Sequence, residues 1–85
     1  MSRVIVYTSI MCGFCTRAKQ LLEEKGVAYD EVDISRDAAS RQHMMERSGR
    51  RTVPQIFVGD TPIGGYQELR ALEDRGELDA VLGRI

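Results

Sequence analysis

Val4-Ile5-Val6-Tyr7-Thr8 is β-branched or aromatic at every position and puts apolar side chains on both faces. Such a strand belongs in the middle of a sheet that is covered on both sides, not at an edge. It runs through Cys12-Gly13-Phe14-Cys15 into an amphipathic helix over 13–25. There Phe14, Ala18, Leu21 and Leu22 share one stripe, while Arg17, Lys19, Glu23 and Glu24 face out. Gly26 is placed to end that helix as its C′ residue. Residues 28–34 supply a second strand, with Tyr29, Val32 and Ile34 as its apolar members.

Beyond it, residues 37–48 read as a polar helix with Ala38, Ala39, Met44 and Met45 as the buried side, closed by Gly49. Arg50-Arg51-Thr52-Val53-Pro54 leads into a strand over 55–58, and Gly59-Asp60 is a hairpin-type turn. The strand over 61–63 returns from it, and Pro62 suits an edge because it has no N–H for a ladder bond. Gly64-Gly65 opens the last helical region: Leu69 and Leu72, a break at Gly76, then Leu78, Val81 and Leu82. The order β-α-β-α-β-β-α has no linker, repeat or low-complexity stretch. The crossover rule makes the first two strands parallel, and the short turn makes the last two antiparallel. The expected fold is α/β: a mixed four-stranded sheet with helices on both faces, the thioredoxin-like arrangement. At 85 residues the chain is expected to be a single domain, 1–85.

Charge and composition remove several functions. A net charge of -1 gives no reason to expect nucleic acid or an anionic membrane as partner. The apolar run after Met1-Ser2-Arg3 is too short for a signal peptide or a membrane span, so a cytoplasmic setting is expected. There a structural disulfide is unusual. A bridge across four residues also constrains the unfolded chain little, compared with the roughly 3 kcal/mol of a 15-residue loop. The chain's 2 cysteines are therefore better read as chemistry than as a staple. On a helix's first turn the Cys-x-x-Cys spacing brings both sulfurs within disulfide reach. The unpaired N–H groups and partial positive charge of that turn favour a thiolate. A Cys-x-x-Cys beside a strand–helix–strand pattern reads as a thiol–disulfide exchange site. The lone His43 is expected to be solvated in the polar helix. With the cysteines it makes only three ligands where a structural zinc needs four, so no metal is expected.

Tyr7-Thr8…Cys12-Gly13-Phe14-Cys15, Arg51-Thr52-Val53-Pro54-Gln55-Ile56-Phe57 and Ile63-Gly64-Gly65, at this spacing, resemble the glutaredoxins, in particular the bacterial glutaredoxin 3 type. The likeness extends to Ala71-Leu72…Gly76…Leu78. Three departures fall in the region where that family holds glutathione. Gly13-Phe14 stands where Pro-Tyr is usual, Ser9 replaces a common lysine, and Tyr66-Gln67-Glu68 replaces Cys-Asp-Asp.

The resemblance implies a glutathione-dependent disulfide oxidoreductase, with Cys12 as exposed nucleophile and Cys15 as resolving thiol. A monothiol course, in which Cys15 is only packed and glutathione resolves the intermediate, stays open. Val53-Pro54 is expected to be cis, turning Val53's N–H and C=O toward Cys12, where an incoming peptide can pair with them. Thr52 either faces the ligand or satisfies its own loop. Glutathione's γ-glutamyl carboxylate would meet Gly65 and the helix N-terminus at Tyr66 and Gln67. Gln67 cannot supply the charge of the family's aspartate for the amine, a part left to Glu68. Arg41 and Arg51 are candidates for the glycyl carboxylate, and Phe14 would cover the thiolate. The implied partners are glutathione, disulfide-containing or glutathionylated proteins and, indirectly, an NADPH-dependent glutathione reductase, with the protein itself a monomer. Cys-Gly-Phe also resembles the start of the monothiol signature. The alternative is thus a dimer sharing one [2Fe–2S] cluster through Cys12 of each subunit and two glutathiones.

Overall fold

In the computed structural model, which describes residues 3–83, β1 (Val4–Thr8) lies inside a four-stranded sheet of order β2-β1-β3-β4. It is parallel to β2 (Asp30–Asp33) and antiparallel to β3 (Gln55–Val58), which is antiparallel to β4 (Thr61–Gly64). The mixed sheet is therefore as the sequence implies, with Pro62 exposed on the edge strand.

The two-sided strand pattern has a direct packing consequence, because successive side chains alternate faces. On one face Val4 and Val6 pack with Ile56, Val58 and the buried sides of α1 (Gly13–Glu24), α3 (Tyr66–Asp74) and α4 (Leu78–Val81). On the other, Tyr7 meets Phe57 edge-on at 5.5 Å, beside Ile34 and Met44 of α2 (Ala38–Ser48). Burying each large side chain here contributes roughly 1.5–3 kcal/mol. Helices thus cover both faces, and the thioredoxin-like arrangement holds.

α1 ends as its sequence foretells. Gly26, at φ +70°, donates to the Glu23 carbonyl at 3.0 Å, and the Val27 N–H reaches the Leu22 carbonyl at 3.0 Å. These paired bonds are a Schellman closure, which needs a left-handed residue at that point. Lys25 then ties α1 to the far helices, its Nζ lying 3.0 Å from Glu73 and 3.1 Å from Asp79.

Two expectations need correction. β2 covers only four residues, because Ile5–Thr8 pair with Asp30–Asp33 and leave residues 28, 29 and 34 outside the ladder. In α2, Ala38 and Ala39 are exposed, Met45 is half-buried, and Met44 alone is fully buried. Asp37 caps this helix through the N–H groups of Ala39 and Ser40, and the two alanines sit in that first turn. His43 is exposed on the same helix.

Candidate active site

The C-terminal end of β1 and the N-terminal end of β3 lie side by side, since Tyr7 pairs with Gln55. The loops leaving that edge carry Cys12 and Val53-Pro54. Met11, fully exposed and held at φ +55°, makes the turn out of the strand. Left-handed backbone is costly for such a side chain, by about 1–2 kcal/mol. Cys12 follows in extended conformation as the N-cap of α1, its Sγ accepting the Cys15 N–H at 3.1 Å. A sulfur in that position meets an amide and the positive end of the helix, and both favour negative charge.

Cys12 and Cys15 are joined as a disulfide, with Cα atoms 5.2 Å apart. Cys12 is half-buried, whereas Cys15 is only 2% exposed. An incoming disulfide can therefore reach the first sulfur and not the second. Val53-Pro54 is cis, as expected, and the Val53 carbonyl oxygen lies 3.9 Å from Cys12 Sγ. Gln55, buried behind it, donates to the Thr52 carbonyl at 3.0 Å and to the Thr52 hydroxyl at 3.3 Å. Thr52 thus satisfies its own loop while still lining the cleft.

That cleft, about 340 Å³, runs between the start of α1, the Thr52–Pro54 loop and the start of α3. The structure brings Phe14, Thr52, Val53, Pro54, Gly65, Tyr66 and Gln67 together in its walls. Phe14 is 51% exposed and stacks on Tyr66 at 5.9 Å, while Arg17 covers Phe14 at 5.5 Å from the ring centre. Arg41 and Arg51 are exposed and line no part of the cleft. Arg41 lies on α2, and the cation that does line the cleft is Arg50.

Arg50 was missed because neighbouring arginines in a loop give no sign of which one turns inward. Its partner had a readable signal. Glu68 is the N3 residue of α3, and its Oε1 accepts the N–H of the N-cap Gly65 at 2.6 Å and Arg50 Nη1–H at 2.9 Å. A capping glutamate three residues into a helix is a recognisable pattern. Oε1 is engaged by these two donors, and Glu68 itself lines the cleft beside Gln67.

The Gly65 N–H, and then Arg50, hold the Glu68 carboxyl below its ordinary value of 4.5. A depressed folded value means the stabilisation is complete above that ordinary value and fades as pH falls through the lowered one. Acidification below the ordinary value of 4.5 should therefore progressively loosen the start of α3. Glu68→Gln keeps an oxygen for Gly65 and has no charge to lose. Circular dichroism through this range should show a shallower acid-induced loss for the variant than for the unchanged protein.

Among the described residues, no group of three or more histidine, cysteine, aspartate or glutamate side chains could hold a metal ion. The Glutaredoxin family profile matches residues 4–63. Glutaredoxin 3 of Escherichia coli strain K12 is 50% identical over 82 residues, spanning 96% of this chain and 99% of that protein. The solution structure of a glutaredoxin from Brucella melitensis matches with a TM-score of 0.86 at 49% identity, covering 99% of this chain and 91% of that one. The crystal structure of a buckwheat glutaredoxin–glutathione complex matches with a TM-score of 0.87 at 27% identity, covering 96% of this chain and 77% of that one. Agreement of this extent in sequence and in backbone places the chain in the glutaredoxin family, thiol–disulfide oxidoreductases that work through a cysteine pair of the kind Cys12 and Cys15 form here.

Proposed function

We propose that the protein is a single-domain glutathione-dependent oxidoreductase that reduces protein disulfides and glutathione mixed disulfides. The observation that carries this reading is the cleft itself, which opens beside the reachable sulfur and ends on the first turn of α3. Glutathione is a short acidic peptide. Its cysteine backbone suits Val53, its γ-glutamyl carboxylate suits the amides at Gly65–Gln67, and Arg50 offers a cation for a carboxylate. The buckwheat relative, solved with glutathione, supports the same choice of ligand.

In the forward reaction the Cys12 thiolate attacks a mixed disulfide, forming Cys12–glutathione and releasing the substrate thiolate, which takes a proton from water. A second glutathione thiolate then attacks that bond, giving glutathione disulfide and restoring the Cys12 thiolate. With protein disulfides, Cys15 attacks the Cys12 mixed disulfide instead. The bridge seen here is the product, and two glutathiones reduce it. The reading places the protein in the cytosol, where thiols are kept reduced. Among the described residues no helix is long and apolar enough to cross a membrane.

The test is turnover of a small glutathione mixed disulfide, coupled to glutathione reductase and NADPH. Steady turnover is expected, and its absence overturns the reading. Arg50→Met should raise the KM for glutathione about fivefold with little change in kcat, as fits a half-exposed ion pair worth about 1 kcal/mol. Arg41→Met and Arg51→Met should leave KM within about twofold.

A further inference from the structure

A second open cavity, about 540 Å³ and sharing no lining residue with the cleft, is walled by both cysteines together with Thr8, Lys19, Glu31 and Asp33. Cys15 and Lys19 are one turn apart on α1 and share a face. Thr8 and Asp33 are opposite one another in the β1–β2 ladder, and Glu31 lies two residues before Asp33. One oxygen of Glu31 takes two donors, the buried Thr8 hydroxyl at 2.7 Å and the Lys19 ammonium at 3.1 Å. The carboxylate and the ammonium are thereby fixed at the cavity wall that carries the sulfurs.

The other charges around the cysteines have contacts of their own, although Asp33 keeps its negative charge in the same cavity. Asp33 Oδ1 accepts the Ser35 N–H at 2.8 Å, Arg17 covers Phe14, and Arg50 is bound to Glu68 across the cleft. Reduction places a new negative charge on Cys12. Beyond the helix start itself, Lys19 is, among the described residues, the one cation lining this cavity that can favour that charge. Glu31, which it contacts, holds it in check, and Asp33 adds a more distant negative charge.

We propose that Lys19 and Glu31 form a matched positioning pair that sets the reduction potential of the Cys12–Cys15 couple. The ammonium favours the reduced, ionised state and the carboxylate offsets most of that pull. The inference rests on the exchange chemistry proposed for the cysteines, not on which thiol reduces them.

The experiment uses dithiothreitol, so that glutathione binding plays no part. Its two thiols become a cyclic disulfide, the bridge becomes a Cys12 thiolate and a Cys15 thiol, and one proton leaves to solvent. Each protein is equilibrated in dithiothreitol buffers, and the oxidised fraction is read by alkylation and mass shift. Glu31→Gln leaves Lys19 uncompensated and should favour the reduced form about fivefold. This equals roughly 20 mV at 29.6 mV per tenfold change for a two-electron couple. Cys12 alkylation should then begin at lower pH. Lys19→Gln should shift both readings the opposite way by a similar factor, and the double variant should return to within about twofold of the unchanged protein.

A bond that merely ties helix to strand cannot produce shifts of opposite sign. Same-sign shifts, or no shift in either single variant, overturn the proposal. Glu31→Ala and Lys19→Met repeat the comparison with different replacements, and circular dichroism identifies any variant that has lost its fold.

Discussion

Cys12→Ser is expected to lower turnover of a glutathione mixed disulfide by at least about a thousandfold, as removal of an attacking nucleophile does. The hydroxyl would keep its place at the helix start and still accept the Cys15 N–H, so the fold should survive. It would not ionise near neutral pH, and so could not attack sulfur. Cys15→Ser should behave differently, because that side chain is 2% exposed and meets no incoming substrate. Turnover of a small mixed disulfide should stay within about threefold, whereas reduction of a protein disulfide should fall at least about tenfold. The measurement is the coupled assay with a small and a protein substrate side by side. If Cys12→Ser retains full turnover, the nucleophile is misassigned. If Cys15→Ser reduces both substrates normally, the monothiol course is the operating one.

Gly64→Ala should be the most damaging exchange of a single small side chain. Gly64 sits at φ +116°, and a Cβ added there would meet Glu68 Oε1 at 2.7 Å and its Cγ at 2.9 Å. The backbone conformation alone costs about 1–3 kcal/mol for a residue with a side chain. Displacing Glu68 would further free the Gly65 N–H and release Arg50. A total of about 2–4 kcal/mol is expected, lowering Tm by about 10–25 °C in a domain of this size. Gly49→Ala separates the two causes, because its φ is +72° and no atom lies within 4 Å of the added carbon. That variant should lose only about 1–2 kcal/mol. Calorimetry of the pair checks the difference. A Gly64→Ala protein as stable as Gly49→Ala would mean that Glu68 moves aside freely and does not hold the start of α3.

The parts of this molecule that could be read from sequence are those where one residue type leaves one option. β1 is apolar on both sides, so it had to be central, and Gly26 and Gly76 both fall at the ends of helices. The cis bond before Pro54, with the Val53 carbonyl facing Cys12, was legible because the spacing resembles a known frame. Reading failed where partners across the fold decide. Ala28 and Tyr29 look like strand, yet the β1–β2 ladder begins only at Asp30, opposite Ile5. Ala38 and Ala39 look buried, yet the Asp37 cap leaves them in an exposed first turn. Arg50 and Arg51 are indistinguishable in sequence, and the choice is made by the position of Glu68, eighteen residues further on. The Lys19–Glu31 contact likewise depends on the lateral fit of α1 and β2, which no local pattern encodes.

The junction of β1 and β3 has a thermal meaning as well. Both reactive loops are anchored on the two inner strands, whose amides are paired on either side and whose side chains are enclosed by helices. Units of that kind open last in a folded protein. On warming, the short α4 can fray while the sulfur and the cleft keep their bearings, so catalytic competence should persist until the scaffold melts as a whole.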